Sequence, residues 1–281
     1  MNEKTNARKL IEASLMIAIA TALSLLKLLE LPYGGSITMA SMLPIVIIAC
    51  RNGVGWGLAA GAVYGGVQQL LGLKVLSWVT SWYSILAVII LDYVLAFAVI
   101  GFAGVFRKLE KQNTALALGA LLGCLLRYVC HVISGATVWA GLSIPTAAAL
   151  IYSFAYNATY MIPETIVLVI AAYYIGSLLD FRSVEPVRLV RGESGSVSGR
   201  IYKLIGWLLI AGAVVFDVVS VFGKLQNAET GEFDFSGLSA LTGGEITAMA
   251  CVTGGAVAAA CVLFVIAAKK KKASAVARPE E

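Results

Sequence analysis

YSILAVIILDYVLAFAVIGFAGVFRKLEKQ, residues 83 to 112, holds one charged residue, Asp92, in an apolar run that stops at the basic cluster Arg107, Lys108 and Lys111. A helix rising about 1.5 Å per residue over that run spans the roughly 30 Å of a hydrocarbon core. Similar runs recur along nearly the whole chain, which is 59% apolar and only 13% charged, with a mean hydropathy of +0.88. So little polar surface cannot clothe a water-soluble core, and lipid admits open-ended chains only as helices. The composition therefore predicts an all-α integral membrane protein. A cleaved signal peptide would leave one short apolar run and a polar remainder, which is not the pattern here.

Eight spans are expected. The first runs from about 10 to 31 and is broken by LPYGGSI (31 to 37); a short second covers about 38 to 50 and ends at Arg51 and Asn52. The third, 53 to 73, repeats Gly57, Gly61 and Gly65 every fourth residue, a spacing that lets helices approach closely. The fourth, about 83 to 106, is the opening stretch, and the fifth is about 113 to 134. The sixth, from Pro145 to Asp180, is too long for a straight crossing, so Pro163 is expected to kink it or its first part to lie at the outer surface. Residues 181 to 200 read as a polar linker, and two more spans follow at about 201 to 223 and 246 to 268. The chain thus divides into 1–180, a linker 181–200, a helical hairpin 201–268 and a basic tail 269–281.

Most of the 21 Lys and Arg residues fall on one side of this arrangement, from Lys4, Arg8 and Lys9 through Arg51 and Arg107 to the run Lys269 to Lys272. That bias predicts a multi-pass plasma-membrane protein with both termini cytoplasmic. The net charge of +5 punctuates spans and forms no basic face, which argues against nucleic acid. Cys50, Cys124, Cys130, Cys251 and Cys261 form no CxxC pair, and with a single histidine in the chain no metal site is expected. No GxxxxGK[ST] phosphate loop and no convincing Ser/His/Asp set occurs, so neither ATP hydrolysis by this chain nor an enzyme is expected.

Charged groups at membrane depth are costly unless they are paired or face an aqueous cavity, which makes them the first functional candidates. They are Asp92, Arg127, His131, Glu164 and Asp217. Arg127 and His131 lie four apart on one helix face. For Arg127 a structural pair with an acid such as Glu164, or with helix carbonyls, stands beside a role supporting a site. His131 reads either as a donor to a backbone carbonyl or as a ligand contact. An ionised Asp92 implies a cation nearby, which a ligand could supply. Aromatic residues at the same end, among them Tyr93, Trp139, Tyr152 and Tyr156, suit either an interfacial belt or a flat cationic heterocycle held by stacking and cation–π attraction.

LPYGGSITMASMLPIVIIACRNGVGWGLAAGAVYG (31 to 65), DYVLAFAVIGFAG (92 to 104), RYVCHVISGATVWAG (127 to 141) and YSFAYNATYMIPE (152 to 164) resemble the thiamine-specific substrate-binding (S) component of energy-coupling factor (ECF) vitamin transporters. The resemblance spans about residues 8 to 180 and implies a six-helix bundle that binds thiamine near the outer surface, here with two additional C-terminal transmembrane helices. It implies that Asp92, where the family commonly has Glu, meets the positive charge of thiamine together with Tyr93. His131, Trp139, Tyr152 and Asn157 would stack on the rings and hydrogen-bond the aminopyrimidine. A family tryptophan in the first loop has no clear counterpart here. Ala18 and Ala22 match the AxxxA pattern through which S components dock on their motor, made of a transmembrane coupling subunit and two ATPase subunits supplied in trans. No bound cofactor is implied. Two other readings stand beside this one: an S component for another heterocyclic vitamin or thiamine precursor, and a self-sufficient secondary transporter or membrane scaffold.

Overall fold

The computed structural model describes residues 3–31, 34–79, 81–139, 146–189, 197–225 and 235–276. Helix α1 is Glu3–Leu25, followed by strand β1 (Lys27–Glu30) and strand β2 (Ser36–Thr38), which pair antiparallel with Leu29 opposite Ile37 and Glu30 opposite Ser36. Then come α2 (Leu43–Asn52), α3 (Val54–Leu71), α4 (Trp82–Lys108), α5 (Gln112–Thr137) and α6 (Ala147–Leu178). A short antiparallel pair, β3 (Leu179–Asp180) with β4 (Val187–Arg188), closes this unit. Helices α7 (Val197–Leu225) and α8 (Gly243–Val276) complete the described chain. Among the described residues, five helices, α4 to α8, contain windows long and apolar enough to cross a membrane.

Helix α2 sits at the centre of the first unit. Its side chains Ile45, Val46 and Ile48 are fully buried, as expected for a helix that is apolar on every face. Pro44 occupies its first turn, where a missing N–H costs nothing. Gly53, with φ of 98°, joins it to α3, and a Cβ there would lie 2.6 Å from the Arg107 guanidinium. The glycine repeat expected to bring helices together does so between α3 and α4. A Cβ on Gly57 would stand 2.7 Å from the Gly101 Cα, one on Gly61 2.3 Å from the Phe97 carbonyl oxygen, and one on Gly65 2.4 Å from that of Tyr93. No side chain fits between these backbones.

Helix α4 changes pitch as it passes α3: it is α-helical over Trp82–Val88, π-helical over Ile89–Leu95 and 3-10 over Val99–Lys108. The Ser81 hydroxyl caps its start by accepting the Ser84 N–H at 3.3 Å. The wide π turn carries Asp92, and such turns re-aim the side chains they contain. Helix α6 is capped by the Thr146 hydroxyl, which accepts from the Ala149 N–H at 3.1 Å, and runs unbroken through Pro163. Its 32 residues extend about 48 Å, well beyond a hydrocarbon core.

Two expectations need correction. The first span was expected to reach Leu31, but α1 ends at Leu25 and residues 27 to 30 run extended. The turn glycines that follow, Gly34 among them with φ of 102°, let the chain double back, and backbone pairing with β2 replaces the last helical turn. The polar stretch 181 to 200 is not a linker throughout. The Arg51 guanidinium donates to the carbonyls of Phe181, Ser183 (2.8 Å) and Val184 (2.6 Å), and Gln112 holds both the Leu179 carbonyl (2.7 Å) and the Phe181 N–H (2.9 Å). The chain separates into compact units at Met1–Arg188 and Leu189–Glu281.

Within the second unit, α7 and α8 form a hairpin. Lys224 pairs with Glu245 at 2.9 Å, the Thr253 hydroxyl donates to Asp217 at 2.5 Å, and the Trp207 and Phe264 rings pack 5.4 Å apart. Asp217 thus joins the two helices of the hairpin. Helix α8 continues to Val276, so the run Lys269 to Lys272 belongs to its last turns, and the Lys270 ammonium lies 4.9 Å over the Tyr202 ring.

Replacing Gly61 by Ala forces a methyl into the α3–α4 contact and is expected to cost about 1–3 kcal/mol of stability. Gly66→Ala faces open space and serves as the neutral partner. Thermal unfolding of the detergent-purified variants measures the difference; equal transitions would contradict the packing.

Candidate functional site

Asp92 reaches from the π turn of α4 toward α5, where three groups donate to its carboxylate. The His131 Nδ1 lies 2.9 Å from Oδ1, while the Ser134 hydroxyl and the Trp139 indole N–H donate to Oδ2 at 2.6 and 3.3 Å. His131 and Ser134 are three apart and share a helix face. Trp139 follows the end of α5, where its backbone N–H donates to the Ser134 carbonyl at 3.3 Å. Ser134 therefore fixes both the acid and the indole that approaches it.

The side chains of His131 and Asp92 are only 10% and 12% exposed. With Nδ1–H directed at the carboxylate, the other ring nitrogen of a neutral His131 is an acceptor, and that Nε2 is buried without a protein partner among the described residues. Asp92 has neither Lys nor Arg within ion-pair distance among the described residues. Its carboxylate is hydrogen-bonded, yet among the described residues no Lys or Arg forms an ion pair with it.

Behind this cluster stands α6. The Asn157 amide donates to the His131 carbonyl (3.3 Å), the Ser153 carbonyl (2.9 Å) and the Ser153 hydroxyl (3.2 Å), and its own oxygen accepts the Tyr160 hydroxyl at 2.6 Å. Ser153 in turn donates to the Val132 carbonyl at 2.9 Å. A Cβ on Gly135 would stand 2.3 Å from the Ser153 Oγ, so α5 and α6 touch at this level. Tyr152 stacks on Tyr156, with ring centres 6.0 Å apart and planes 3° from parallel; Tyr156 meets Tyr160 edge-on at 5.9 Å, and Tyr160 meets His131 at 6.1 Å.

Of the expected site residues, Asp92, His131, Trp139 and Asn157 thus come together, and Tyr152 connects to them along the tyrosine ladder of α6. Tyr93 turns another way: its hydroxyl would stand 2.8 Å from a Cβ on Gly72, at the end of α3. Successive helical residues point about 100° apart, which separates it from Asp92. Sequence reasoning missed Ser134, Ser153 and Tyr160. The i+3 spacing of Ser134 from His131 was a usable signal, whereas Ser153 and Tyr160 depend on how α5 meets α6.

Arg127 does not pair with Glu164. Its guanidinium lies 4.4 Å over the Phe97 ring and donates to the Met42 sulfur at 3.3 Å, with no carboxylate in ion-pair range among the described residues. Pro145, where the sixth span was expected to begin, lies outside the described residues. Among the described residues no cluster of three His, Cys, Asp or Glu side chains could hold a metal. On α1, Ala18 and Ala22 are exposed together with Ile11, Leu15 and Ile19, while Ala13 and Ala20 turn into the bundle.

The thiamine transporter protein family model matches residues 10–180, which include every residue of the Asp92 cluster. The chain belongs to the thiamine transporter family. A curated relative, thiamine transporter ThiT of Bacillus subtilis (strain 168), is 35% identical over 179 residues, covering 59% of this chain and 89% of its own length. A solved structure of ThiT from Listeria monocytogenes superposes with a TM-score of 0.50 over 61% of this chain and 94% of its own; at 24% identity it speaks to the fold alone. This member of the family is a multi-pass membrane transport protein, not an enzyme. Helices α7 and α8 lie beyond the matched residues.

If the Trp139 indole donates to Asp92, its emission reports the acid. In a chain retaining Trp139 as its one tryptophan, Asp92→Leu is expected to shift the emission maximum, and Asp217→Leu to leave it unchanged. An unshifted Asp92→Leu spectrum would contradict the contact.

Proposed function

We propose that the chain is the thiamine-capturing S component of an ECF transporter, with Asp92 as the anion that receives the thiazolium. The observation that carries this reading is a membrane-depth carboxylate held by neutral-type donors with, among the described residues, no Lys or Arg in ion-pair range. Hydrogen bonds keep such a group oriented, and a cation arriving beside it gains an attraction that the low-dielectric surroundings strengthen. Thiamine fits because its thiazolium is permanently charged and its two flat rings suit the faces of Trp139 and His131. The unmatched His131 Nε2 offers an acceptor for an exocyclic amine. Asn157 and Tyr160 keep His131 in place from behind, and Tyr152 extends the aromatic wall along α6.

The basic residues favour an orientation with both termini cytoplasmic, so that the Asp92 cluster opens outward. The chain carries no phosphate loop, so energy for uptake would come from two ATPase subunits through a coupling membrane subunit. The uncovered face of α1, with small residues at Ala18 and Ala22 flanked by leucine and isoleucine, offers a surface where another helix can approach closely. The C-terminal hairpin is an addition to the thiamine-binding part, and the lipid bilayer is the surrounding solvent of both.

Equilibrium binding to purified protein tests the site: Asp92→Asn and Trp139→Ala are each expected to weaken thiamine by at least about tenfold, equivalent to roughly 1.4 kcal/mol. Wild-type affinity in both variants would overturn the assignment, and tighter binding of the isolated pyrimidine half than of thiamine would favour a precursor as substrate. Docking is tested separately. Ala18→Trp with Ala22→Trp is expected to leave binding intact while uptake and copurification with ATPase subunits are lost; uptake that persists without any ATPase partner would overturn the motor assignment.

A further inference from the structure

Glu164 is the most deeply buried carboxylate among the described residues of the first unit, 2% exposed, and both of its oxygens are taken by one residue of the β1–β2 hairpin. Oε2 accepts the Thr38 backbone N–H at 2.6 Å, and Oε1 accepts the Thr38 hydroxyl at 2.7 Å. Thr38 Oγ1 also lies 2.8 Å from the Ser41 hydroxyl, which holds the threonine from its other side. Seven residues before Glu164 on α6 is Asn157, two turns away and on the same face. Tyr160 lies between them.

The other end of β2 meets that same stripe. The Gly35 N–H points to the Tyr156 hydroxyl at 3.4 Å, and a Cβ at Gly35 would come within 2.7 Å of the Tyr160 ring. The lengths agree: three residues of strand from Thr38 to Gly35 cover about 10 Å, and eight residues of helix from Glu164 back to Tyr156 cover about 12 Å. Strand β2 therefore lies parallel along α6, fastened at Thr38 and, just before its first residue, seated at Gly35. The seat is Tyr160, whose hydroxyl donates to Asn157, whose amide donates to the His131 carbonyl.

We propose that Glu164 is a positioning residue for ligand retention: by clamping Thr38 it keeps β2 seated on Tyr160, and through Tyr160 and Asn157 it holds His131 beside Asp92. It touches no ligand. This rests on the thiamine site proposed above. Loss of the clamp lets β2 lift without removing any ligand contact, so it acts on how long a bound molecule stays and not on how fast it arrives. The threonine and the glycine sit at the two ends of β2, so the seating can be disturbed at either end without touching the carboxylate.

Stopped-flow thiamine binding to the full purified chain tests it with Thr38→Val, Thr38→Ser and Gly35→Ala. Thr38→Val removes the hydroxyl at constant shape and is expected to raise the dissociation rate about tenfold, the consequence of leaving one buried oxygen unmatched, with the association rate within about twofold of wild type. Thr38→Ser keeps the hydroxyl and is expected to restore wild-type dissociation. Gly35→Ala, which presses on Tyr160 at the far end, should reproduce the fast dissociation with the clamp chemistry intact. A wild-type dissociation rate in either Thr38→Val or Gly35→Ala overturns the proposal, as does an association rate that falls in step. A second readout needs no thiamine: Ile37→Cys, at a position fully buried in β2, in a background without the native cysteines, is expected to react slowly with a maleimide and at least about tenfold faster when combined with Thr38→Val, for the same unmatched oxygen. Equal labelling rates overturn the clamp. If the wild-type chain fails to bind thiamine, the proposed substrate falls while the labelling rates still decide the clamp.

Discussion

The structure of the first unit turns on one carboxylate carried below the membrane surface. Asp92 cannot sit in an apolar helix without donors, and His131, Ser134 and Trp139 all come from α5 or the turn that follows it. Meeting them requires α4 to lie close to α5 at that level and to turn Asp92 toward it. The π turn over Ile89–Leu95 provides the direction, while the glycines of α3 allow the approach of α4 from behind. A bulkier residue at Gly61 or Gly65 would push α4 away from α3, and the Asp92 cluster would shift with it.

From that acid the organisation extends outward in layers. His131 is held through its backbone carbonyl by Asn157, Asn157 by Tyr160 and Ser153, and Tyr160 is covered by Gly35 of the hairpin. Almost every group in this chain of contacts is neutral and hydrogen-bonded, which is the inexpensive way to keep polar side chains inside lipid. The exception is Asp92, an acid with three donors and, among the described residues, no Lys or Arg in ion-pair range. Under the proposed function, such a site receives a small flat cation. The clamp at Glu164 repeats the logic on the other side of Tyr160: an acid at depth, its two oxygens taken by one threonine.

Much of this was legible in the sequence, for reasons that are physical. Apolar runs interrupted by basic clusters reveal spans because lipid sorts residues strongly, and α4, α5 and α6 follow their expected limits to within a few residues. The glycine repeat of α3 announced a close contact because nothing else explains small residues every fourth position. Asp92, His131 and Trp139 stood out because charged and aromatic groups are rare and costly where they lie. Less legible were features that depend on backbone direction. Strand β1 was read as the end of the first helix because KLLEL carries no local signal against it, and only pairing with β2 makes it extended. Arg127 was considered as a partner for Glu164, yet the hairpin brings Thr38 to the acid first and leaves the guanidinium over Phe97. Tyr93 adjoins Asp92 in sequence and faces elsewhere in space.

The most direct test of the central claim is an experimental structure of the thiamine-bound chain. The account predicts the thiazolium within about 4 Å of the Asp92 carboxylate, the ion-pair range in which the attraction is strongest, with a ring against Trp139 and the His131 Nε2 facing the ligand. A ligand bound away from α4 and α5, with Asp92 still engaged by the same three donors and no positive charge beside it, would contradict it.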